Sequence, residues 1–345
     1  MLEASRYSRQ ILFEPIGGEE GGQLRLSKSH VLIIGGVGAL GSISAETLTR
    51  AGVGKLTLVD RDYVEESNLQ RQQLFTEKDV INQTPKAIAA KERLESINHL
   101  VKIDAMVMDA DVSKLEQIIP KVHLVIDATD NFETRLLIND LCQKYRKPWI
   151  YGGCVASYGI TFTVLPNETP CLQCLMKHIP QDGATCDTVG IVSPVVQMVV
   201  SHQMIEAFKI LTGNKQQLSG KLIAFDLWQN QRMELAVESL RKKDCPSCSE
   251  NKQFPNLSYE QQLKTAVLCG RNTVQIRSPP HKQVHLEEIA RHLQKKQSLK
   301  VFQNPYLLSF EIENHRMVVF QDGRTLIHGT KDLTEAKKLY YQFIG

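Results

Sequence analysis

One segment near the start of the chain decides the fold. Residues 29–41 read Ser-His-Val-Leu-Ile-Ile-Gly-Gly-Val-Gly-Ala-Leu-Gly, and residues 55–60 read Lys-Leu-Thr-Leu-Val-Asp. The apolar run His30–Ile34 predicts a buried strand, and residues 55–59 predict a second strand that leads to Asp60. Between these strands, three glycines spaced as G-x-G-x-x-G precede a helical stretch that ends near Ala51; they are Gly36, Gly38 and Gly41.

This βαβ pattern is typical of nucleotide binding. The glycines let the backbone approach a phosphate, the helix N-terminus offers unpaired N–H groups, and the acid at the second strand accepts ribose hydroxyls. The alternative is a tight turn with a packing role only. The pattern does not identify the nucleotide.

The composition is that of a globular protein long enough for two domains. Of the 345 residues, 42% are hydrophobic and 23% are charged, and 41 Lys and Arg against 38 Asp and Glu leave a formal charge of +3. So small a charge does not favour nucleic acid or an anionic membrane as the main partner. Because no signal-peptide core or bilayer-spanning run is found, we expect a cytoplasmic protein. In that reducing compartment, the 8 cysteines suggest metal ligation or reactivity and not disulfides.

Polar residues cluster where predicted strands end. Residues 61–72 follow Asp60, and within them Asn68 and Arg71 lie one helical turn apart, so both can face one ligand. A solvated surface is the alternative. Open α/β sheets hold ligands beyond the carboxyl ends of their strands, which favours the functional interpretation.

Lys86 and Asp130 stand at two further element boundaries. A helix is predicted over residues 85–98, and a lysine in its first turn is unfavourable at the positive helix end unless an anion lies there. A strand predicted over residues 122–127 leads to Asp130 and Asn131. These residues either meet a ligand or cap the helix that continues to Tyr145.

The remaining elements extend this unit into an α/β fold. Residues 5–28 predict a helical arm outside the sheet, which carries Arg6, Tyr7, Arg9 and Gln10. We expect a Rossmann-like, doubly wound, mainly parallel sheet with an antiparallel extension. The further strands are predicted at residues 101–107, 148–153, 158–165, 221–226 and 232–237.

Two Cys-x-x-Cys pairs predict a structural zinc site. Cys171 with Cys174, and Cys245 with Cys248, offer the four thiolates of the closed tetrahedral site that zinc prefers. Because the pairs lie far apart in the chain, the metal must join segments that meet only in the fold. A redox pair would need one Cys-x-x-Cys and gives no reason for the second.

Between the two pairs lies Cys186, in the polar stretch 184–190, which predicts an exposed loop. Spacing alone favours an idle thiol there. Ser193 and Pro194 then predict a helix start, with Ser193 as the N-cap and Pro194 as the first helical residue. This helix, predicted over residues 194–211, is apolar nearly all round, so we expect it to be buried or to form a subunit contact.

The sequence predicts a domain boundary near residue 250. Residues 1–250 are expected to form the first domain, and residues 251–345 a small α+β domain that starts with a polar linker. Asp322 and Gly323 provide a hairpin turn between its last two strands. Cys269 precedes the first predicted strand of this domain, and neither it nor the histidines among residues 280–315 have metal-like spacing. Strands are predicted at 273–276, 307–312, 316–320 and 325–328, and helices at 286–296 and 333–343.

In combination, these motifs resemble the ThiF/MoeB family, bacterial relatives of ubiquitin-activating enzymes. The resemblance covers about residues 5–250. It rests on the following residues: Arg6-Tyr7-Ser8-Arg9-Gln10, the Gly-rich turn, Asp60, Val64-x-x-Ser67-Asn68-Leu69-x-Arg71-Gln72, Pro85-Lys86, Asp127-x-Thr129-Asp130-Asn131, both cysteine pairs and Thr185-Cys186.

The resemblance implies adenylation, with ATP and magnesium, of the C-terminal glycine of a ubiquitin-like sulfur carrier of the ThiS or MoaD type. It implies that Asp60 holds the ribose, that Asp130 holds magnesium or the reacting phosphate, and that Arg9 reaches into the partner's site in a homodimer. No general base is needed, because the attacking carboxylate is already ionised. The implied catalytic residues are Arg9, Arg71, Lys86, Asp130 and Cys186; the implied nucleotide-binding residues are Gly36, Gly38, Gly41, Asp60, Asn68, Arg71, Gln72, Lys86, Asp130 and Asn131.

Several questions stay open at this point. In ThiF-like members the cysteine matching Cys186 handles the activated carboxylate, with a separate sulfur donor, whereas in MoeB-like members it is dispensable. The sequence does not say whether thiamine or molybdenum cofactor synthesis is served. The C-terminal tail departs from most members; it is short for a rhodanese and Cys269 comes early in it, so we expect no sulfurtransferase activity there. Two other classes remain, an NAD-dependent oxidoreductase using the same turn and a non-catalytic carrier-binding scaffold.

Overall fold

The computed structural model describes residues 5–18, 21–35, 37–179, 185–258, 265–267, 272–277, 284–294 and 299–344. The chain divides into two compact units, one of Met1–Ile81 with Pro85–Ser258 and one of Asn82–Thr84 with Tyr259–Gly345. Residues 251–258 therefore group with the first unit, whereas the boundary expected from the sequence lies after residue 250.

The first unit is built on a mixed sheet. Its strands are β1 (His30–Ile34), β2 (Lys55–Asp60), β3 (Lys102–Val107), β4 (Leu124–Asp127), β5 (Trp149–Val155), β6 (Tyr158–Val164), β7 (Lys221–Asp226) and β8 (Gln231–Ala236). Among the described residues they form one sheet of 8 strands in the order β3-β2-β1-β4-β5-β6-β7-β8. Strands β1 to β5 pair in parallel, and β6, β7 and β8 add on antiparallel. The predicted fold class is confirmed.

Helices cover the sheet and precede it as an arm. The arm contains α1 (Ser8–Ile11), α2 (Glu14–Gly17) and α3 (Gly22–Ser27). The other helices of this unit are α4 (Ala39–Ala51), α5 (Glu77–Ile81), α6 (Lys86–Ile97), α7 (Val112–Ile118), α8 (Phe132–Lys144), α9 (Leu172–Leu175), α10 (Cys186–Val189) and α11 (Ser193–Thr212). Of the residues that the structure describes, none form a helix with the length and apolar character needed to cross a bilayer.

The central strand β1 is buried on both faces, as the apolar run predicts. Val31 and Ile33 pack into the core that includes α4 and α11, whereas Leu32 and Ile34 pack into the core that includes α7 and α8. Burial on both faces is the usual state of a strand in a doubly wound parallel sheet. This packing fixes where β1 ends, and therefore where the glycine-rich turn begins.

Two details of α11 differ from the prediction. The helix begins at Ser193, so Val192 and not Ser193 is its N-cap. One face of α11 is buried against the sheet, and the other exposes Met198 and Ile205. The predicted burial of this helix therefore applies to the face that packs on the sheet, while the opposite face exposes apolar side chains.

The second unit contains an antiparallel sheet and two helices in its described part. Its strands are β9 (Thr265–Val267), β10 (Thr273–Arg277), β11 (Val301–Gln303), β12 (Leu307–Ile312), β13 (His315–Phe320) and β14 (Arg324–His328), and its helices are α12 (Leu286–Gln294) and α13 (Leu333–Phe343). The strand order is β11-β12-β13-β14-β10-β9. Gly323 has φ +85°, as the hairpin turn between β13 and β14 requires.

Two short strands of this unit escaped prediction. The strands β9 and β11 have 3 residues each, too few for an alternating pattern to be visible. Because β9 is present, the expectation that Cys269 precedes the first strand is wrong. Cys269 itself, Pro280 and His281 lie outside the described residues.

Candidate active site

The glycine-rich turn lies at the switch point of the sheet. β1 has β2 on one side and β4 on the other, so the strand order reverses there. Open α/β sheets bind ligands at such a point, beyond the carboxyl ends of their strands. The N–H of Ala128 donates to the carbonyl of Ile34 at 2.9 Å, which brings the loop after β4 against the turn after β1.

Gly35 is the residue in this turn that must be glycine for internal reasons. It has φ +75°, and a Cβ there would lie 2.7 Å from the backbone nitrogen of Thr129. At Gly38, the N-cap of α4, a Cβ would meet only the Gly35 carbonyl oxygen at 3.5 Å within the described residues. Packing alone therefore does not require glycine at position 38. Gly41 is buried in the first turn of α4, and Gly36 lies outside the described residues.

Asp60 ends β2 and is hydrogen-bonded to the same turn. Its Oδ2 accepts from the N–H of Val37 at 3.0 Å, and its Oδ1 accepts from the N–H of Asp62 at 2.8 Å. Burial raises the pKa of Asp60, and the nearby Lys86 cation opposes that effect. A carboxylate held at the tip of the second strand can accept ribose hydroxyls.

Lys86 opens α6 and is held by Asp62. Lys86 is 3% exposed. Its Nζ lies 3.5 Å from Oδ2 of Asp62, and its N–H donates to the Asp62 carbonyl at 2.9 Å. The sequence predicted an anion near this helix start, and Asp62 supplies one within the protein. The position of the lysine therefore does not by itself require a bound anion.

Asn68, Arg71 and Gln72 lie in one tight turn. Asn68 is 2% exposed, and its Oδ1 accepts from the N–H of Glu65 at 3.1 Å. The backbone N–H groups of Arg71 and Gln72 donate to the Asn68 carbonyl at 3.1 and 3.0 Å. Asn68 and Arg71 are thus adjacent as predicted, but the Asn68 carboxamide oxygen stabilises the turn while the half-buried Arg71 donates to the Ser67 carbonyl at 2.7 Å. The buried Gln72 Oε1 has no hydrogen-bond partner in the described part of the chain.

The loop after β4 is supported from below by a buried ion pair. Nε of Arg135 lies 3.3 Å from Oδ2 of Asp127, and Nη2 of Arg135 donates to the carbonyls of Thr129 at 2.7 Å and Gly152 at 3.3 Å. Oδ1 of Asp127 accepts from both the N–H and the hydroxyl of Thr129. Burial raises the pKa of Asp127, and Arg135 counteracts this shift. This network fixes the backbone that leads to Asp130.

Asp130 and Asn131 divide the two roles that the sequence left open. Oδ1 of Asn131 accepts from the N–H of Thr134 at 2.8 Å, so Asn131 is the N-cap of α8. Asp130 is exposed at the strand tip, and its Oδ1 accepts from Nδ2 of Asn131 at 3.3 Å. Asp130 is therefore not the helix cap.

The arm that carries Arg9 is anchored at the opposite edge of the sheet. Nε2 of Gln10 donates to the carbonyl of Ala51 at 3.0 Å, and Nη1 of Arg6 donates to the carbonyl of Ile97 at 2.9 Å. Ala51 and Ile97 are the last residues of α4 and α6, whose first residues face the nucleotide turn. Since α4 has 13 residues, the anchor lies about 20 Å from that turn. Arg9, exposed on the arm, does not join the other predicted residues within its own chain.

Cys186 differs from the predicted exposed loop. It is half-buried and begins the one-turn helix α10, which is capped by reciprocal bonds between Thr185 and Thr188. This local capping, and not an apolar pattern, creates the helix. The Cys186 thiol donates to the carbonyl of Cys154 at 3.6 Å, at the carboxyl end of β5. Burial raises the pKa of the Cys154 thiol to about 12, so Cys154 is protonated at neutral pH.

The two Cys-x-x-Cys pairs meet in the fold. All four thiols are buried, and the four sulfur atoms lie within 4.8 Å of one another. Sγ of Cys171 is 4.0 Å from Sγ of Cys174 and 3.6 Å from Sγ of Cys245, and Cys174 is 3.6 Å from Cys248. A tetrahedral ion with Zn–S bonds of about 2.3 Å requires sulfur separations of about 3.8 Å. The donor set and spacing therefore fit zinc.

Helix α8 connects the segments that carry the two cysteine pairs to the sheet edge beside Asp130. Oδ1 of Asn139 accepts from the N–H of Leu172 at 2.8 Å, next to Cys171. Oδ2 of Asp140 accepts from the N–H and the Nδ2 of Asn256 at 3.0 and 2.8 Å, shortly after Cys248. Both residues lie on the helix whose N-cap is Asn131.

Comparison with known proteins identifies the family of the chain. The ThiF family model matches residues 7–247. The chain belongs to the ThiF family. It is 52% identical over 340 residues, 99% of each chain, to the sulfur carrier protein ThiS adenylyltransferase of Bacillus subtilis (strain 168). The molybdopterin-synthase adenylyltransferase of Escherichia coli (strain K12) is 34% identical over 249 residues, 72% of this chain and 97% of that one. The resemblance drawn from the motifs is confirmed.

The solved structure of Escherichia coli MccB with ATP shares the fold of this ThiF family member. The TM-score is 0.60 at 22% identity, over 71% of this chain and 74% of that one. The match to the Bacillus subtilis relative extends through the second unit, whereas the sulfur carrier protein ThiS adenylyltransferase of Escherichia coli (strain K12), 37% identical, covers 72% of this chain and 97% of its own length. The C-terminal tail is therefore shared with one ThiS adenylyltransferase and lies beyond the other.

Three residues of the site went unpredicted. Asp62 follows Asp60 at an Asp-x-Asp spacing, a signal that was available in the loop. Arg135 and Gln203 lie on helices whose patterns gave no reason to single them out. Nε2 of Gln203, fully buried on α11, donates to the carbonyls of Asp127 at 3.1 Å and Ile150 at 3.3 Å, and so joins the end of β4 to the start of β5.

Proposed function

We propose that this protein uses ATP to adenylate the C-terminal glycine of a ubiquitin-like sulfur carrier and thereby activates the carrier for sulfur transfer. The observation that carries the proposal is the assembly of Asp60, Lys86 and Asp130 at one sheet edge in a ThiF family chain. The adenylyltransferase expected from the sequence is confirmed by the relatives. An oxidoreductase would leave Lys86 and Asp130 without a role.

Each residue at this edge has a task that follows from its chemistry. Asp60 accepts the ribose hydroxyls, and the N-terminus of α4 with Gly38 and Gly41 receives the phosphates. Lys86 and Arg71 neutralise the anions as the glycine carboxylate attacks the α-phosphorus and pyrophosphate leaves. Asn68, Gln72 and Asn131 complete the nucleotide-binding surface. Asp130 holds magnesium, which supplies positive charge to the phosphate oxygens when bound.

Arg9 is proposed to act across a homodimer. The arm is anchored about 20 Å from the turn of its own chain, as α4 dictates. A cation at that distance cannot contact a phosphate bound at the same chain's turn. A second subunit that presents its arm to this edge would bring Arg9 to the triphosphate.

The carrier is proposed to be of the ThiS type. A relative that matches both units of this chain is a ThiS adenylyltransferase. On this proposal the protein acts in the cytoplasm in thiamine biosynthesis. Cys186 receives the activated glycine carboxylate, with AMP as the leaving group, and a separate sulfur donor delivers the sulfur. Molybdenum cofactor synthesis is the alternative pathway. We also propose that the four-cysteine site holds structural zinc.

ATP–pyrophosphate exchange tests this function directly. The full-length protein is mixed with ATP, magnesium and labelled pyrophosphate, with a ThiS-type carrier, a MoaD-type carrier or no carrier. We expect exchange with the ThiS-type carrier and none without a carrier. A carrier lacking its terminal glycine is the matched control. Binding of the carrier without exchange would favour the scaffold, and reduction of a nicotinamide cofactor would favour the oxidoreductase.

A further inference from the structure

The tips of β2 and β3 and the start of α6 share a row of alternating charges. Asp109, just after β3, lies 3.6 Å from Nη1 of Arg61 through its Oδ1. Arg61 Nε lies 4.0 Å from Oδ1 of Asp62, and Oδ2 of Asp62 lies 3.5 Å from Nζ of Lys86. Asp62 contacts both cations of this row.

Asp62 also joins the two elements through its backbone. Its N–H donates to the Asp60 carboxylate at 2.8 Å, and its carbonyl accepts from the N–H of Lys86 at 2.9 Å. The neighbouring residues Tyr63 and Pro85 form a β-bridge. Asp62 thus fixes the Asp60 carboxylate relative to both the backbone N–H and the ammonium of Lys86.

From this arrangement we infer that Asp62 is a positioning residue of the adenylation reaction. Its carboxylate holds the Lys86 ammonium at the nucleotide edge before ATP arrives and gives up that ion pair as the phosphates take the lysine. The inference rests on the proposed function for its kinetic consequence, but the contact between Asp62 and Lys86 is independent of it.

The burial of Lys86 explains why such a partner is needed. At 3% exposure, an ammonium without an anion would pay a large desolvation cost, and a lysine side chain has many rotamers to choose from. The Asp62 carboxylate reduces both problems. The phosphates of ATP must compete with the Asp62 carboxylate for the Lys86 ammonium, so loss of this carboxylate favours ATP binding. The same loss leaves the Lys86 side chain without the contact that holds it in position. We therefore expect the rate to suffer more than ATP affinity.

A second lysine–carboxylate pair on the same sheet provides a matched control. Nζ of Lys55 lies 2.5 Å from Oδ2 of Asp104, with side chains that are 32% and 41% exposed. Lys55 begins β2 and Asp104 is in β3, on the side of the sheet away from the nucleotide turn. Asp104→Asn removes a carboxylate of the same type from a pair that touches no site residue.

The test compares full-length Asp62→Asn, Asp62→Glu and Asp104→Asn proteins in carrier-dependent ATP–pyrophosphate exchange. For Asp62→Asn we expect kcat to fall about tenfold or more, while the KM for ATP changes by less than about threefold. Asp62→Glu keeps the charge and should recover part of kcat. Asp104→Asn should match the wild type. Unchanged kcat in Asp62→Asn, or an equal loss in Asp104→Asn, would overturn the positioning role.

Calorimetric binding of a non-hydrolysable ATP analogue completes the test. Asp62→Asn should change the affinity measurably, by less than about threefold, in the wild-type background and have no effect in a Lys86→Met background, because Asp62 acts through Lys86. Equal effects in both backgrounds would refute the inference. Absence of exchange in the wild type would instead count against the proposed function and leave this binding cycle valid. If Asp62→Asn does not melt cooperatively, Asp62→Ser, which also removes the charge, takes its place in both measurements.

Discussion

Arg135 donates a 2.7 Å hydrogen bond from Nη2 to the carbonyl of Thr129, and this contact holds the loop that presents Asp130 from beneath. The same guanidinium lies over the rings of Phe132 and Tyr151 at 5.2 and 5.3 Å. A planar cation that bonds two carbonyls, faces a carboxylate and stacks on two rings cannot be replaced by an ammonium of similar charge.

Arg135→Met should destabilise the protein strongly. The change leaves the buried Asp127 carboxylate without its cation, which costs about 3–5 kcal/mol in comparable pairs. Burial already raises the pKa of Asp127, so its folded state binds the proton more tightly than its unfolded state. The contribution of this group to stability is therefore present at acidic pH and is lost as pH rises through the raised pKa. Urea unfolding across pH should show the deficit of Arg135→Met growing from acidic to neutral pH; a deficit independent of pH would contradict this account.

Lys86→Ala and Asp130→Ala should both fold and both lose adenylation. Asp130 is exposed, so Asp130→Ala should leave the melting temperature unchanged. Lys86 is buried, so Lys86→Ala should lower it. Removal of a single phosphate-directed or magnesium-directed group should lower exchange by about 100-fold or more. Exchange measured at saturating magnesium checks both variants. Near-normal exchange in either would remove that residue from the site.

Arg9→Ala should lose activity that a second inactive variant restores. In a mixture of Arg9→Ala and Asp130→Ala subunits, a hybrid dimer retains one site with both groups intact. With random exchange of equal amounts, half of the dimers are hybrids, and the mixture should regain about a quarter of wild-type exchange if sites act independently. Subunit exchange is verified with two differently tagged chains. Full exchange without any recovery would argue against action across the dimer.

Loss of any zinc ligand should unfold the metal site. Cys171→Ser and Cys248→Ser should lower the zinc content from one ion per chain and reduce the melting temperature markedly, because metal binding supplies folding free energy. Cys142→Ser provides the matched control, since Cys142 is buried and belongs to no metal-like cluster among the described residues. Elemental analysis and melting measure both effects. Stable metal-free protein would contradict a structural zinc.

Cys186→Ser should separate adenylation from sulfur transfer. Its thiol lies at the carboxyl end of β5, and adenylation needs no thiol nucleophile, so ATP–pyrophosphate exchange should stay within about twofold of wild type. Transfer of sulfur to the carrier, measured by mass at its C-terminus with a persulfide donor present, should fall by about tenfold or more. Cys154→Ser is the neighbouring control. Wild-type sulfur transfer in Cys186→Ser would make this thiol dispensable.

Much of the fold followed from the sequence because its signals are local. The apolar run at β1, the glycine spacing and the acid after β2 each depend on neighbouring residues only, and the fold they predict is confirmed. The four-sulfur cluster was predictable for another reason, since zinc chemistry imposes the meeting of two distant pairs.

The missed features depend on tertiary contacts. Arg135 matters because Asp127 and Gly152 surround it, and no periodicity in α8 indicates that arrangement. The helix at Cys186 arises from two threonines that cap one turn, where an apolar pattern is absent. The Asn68 side chain is buried because its Oδ1 accepts from the N–H of Glu65 within the same turn. The one-turn spacing between Asn68 and Arg71 does not indicate this contact.

Helix α8 links the four-cysteine cluster to the loop that carries Asp130. The helix is capped by Asn131 beside Asp130, and further along it Asn139 and Asp140 bond to the chain next to the two cysteine pairs. A rigid rod fixed at one end transmits a tilt to the other. If zinc binds the four cysteines, its loss should slow adenylation as well as lower the melting temperature, so that the enzyme's turnover would depend on the metal supply of the cell.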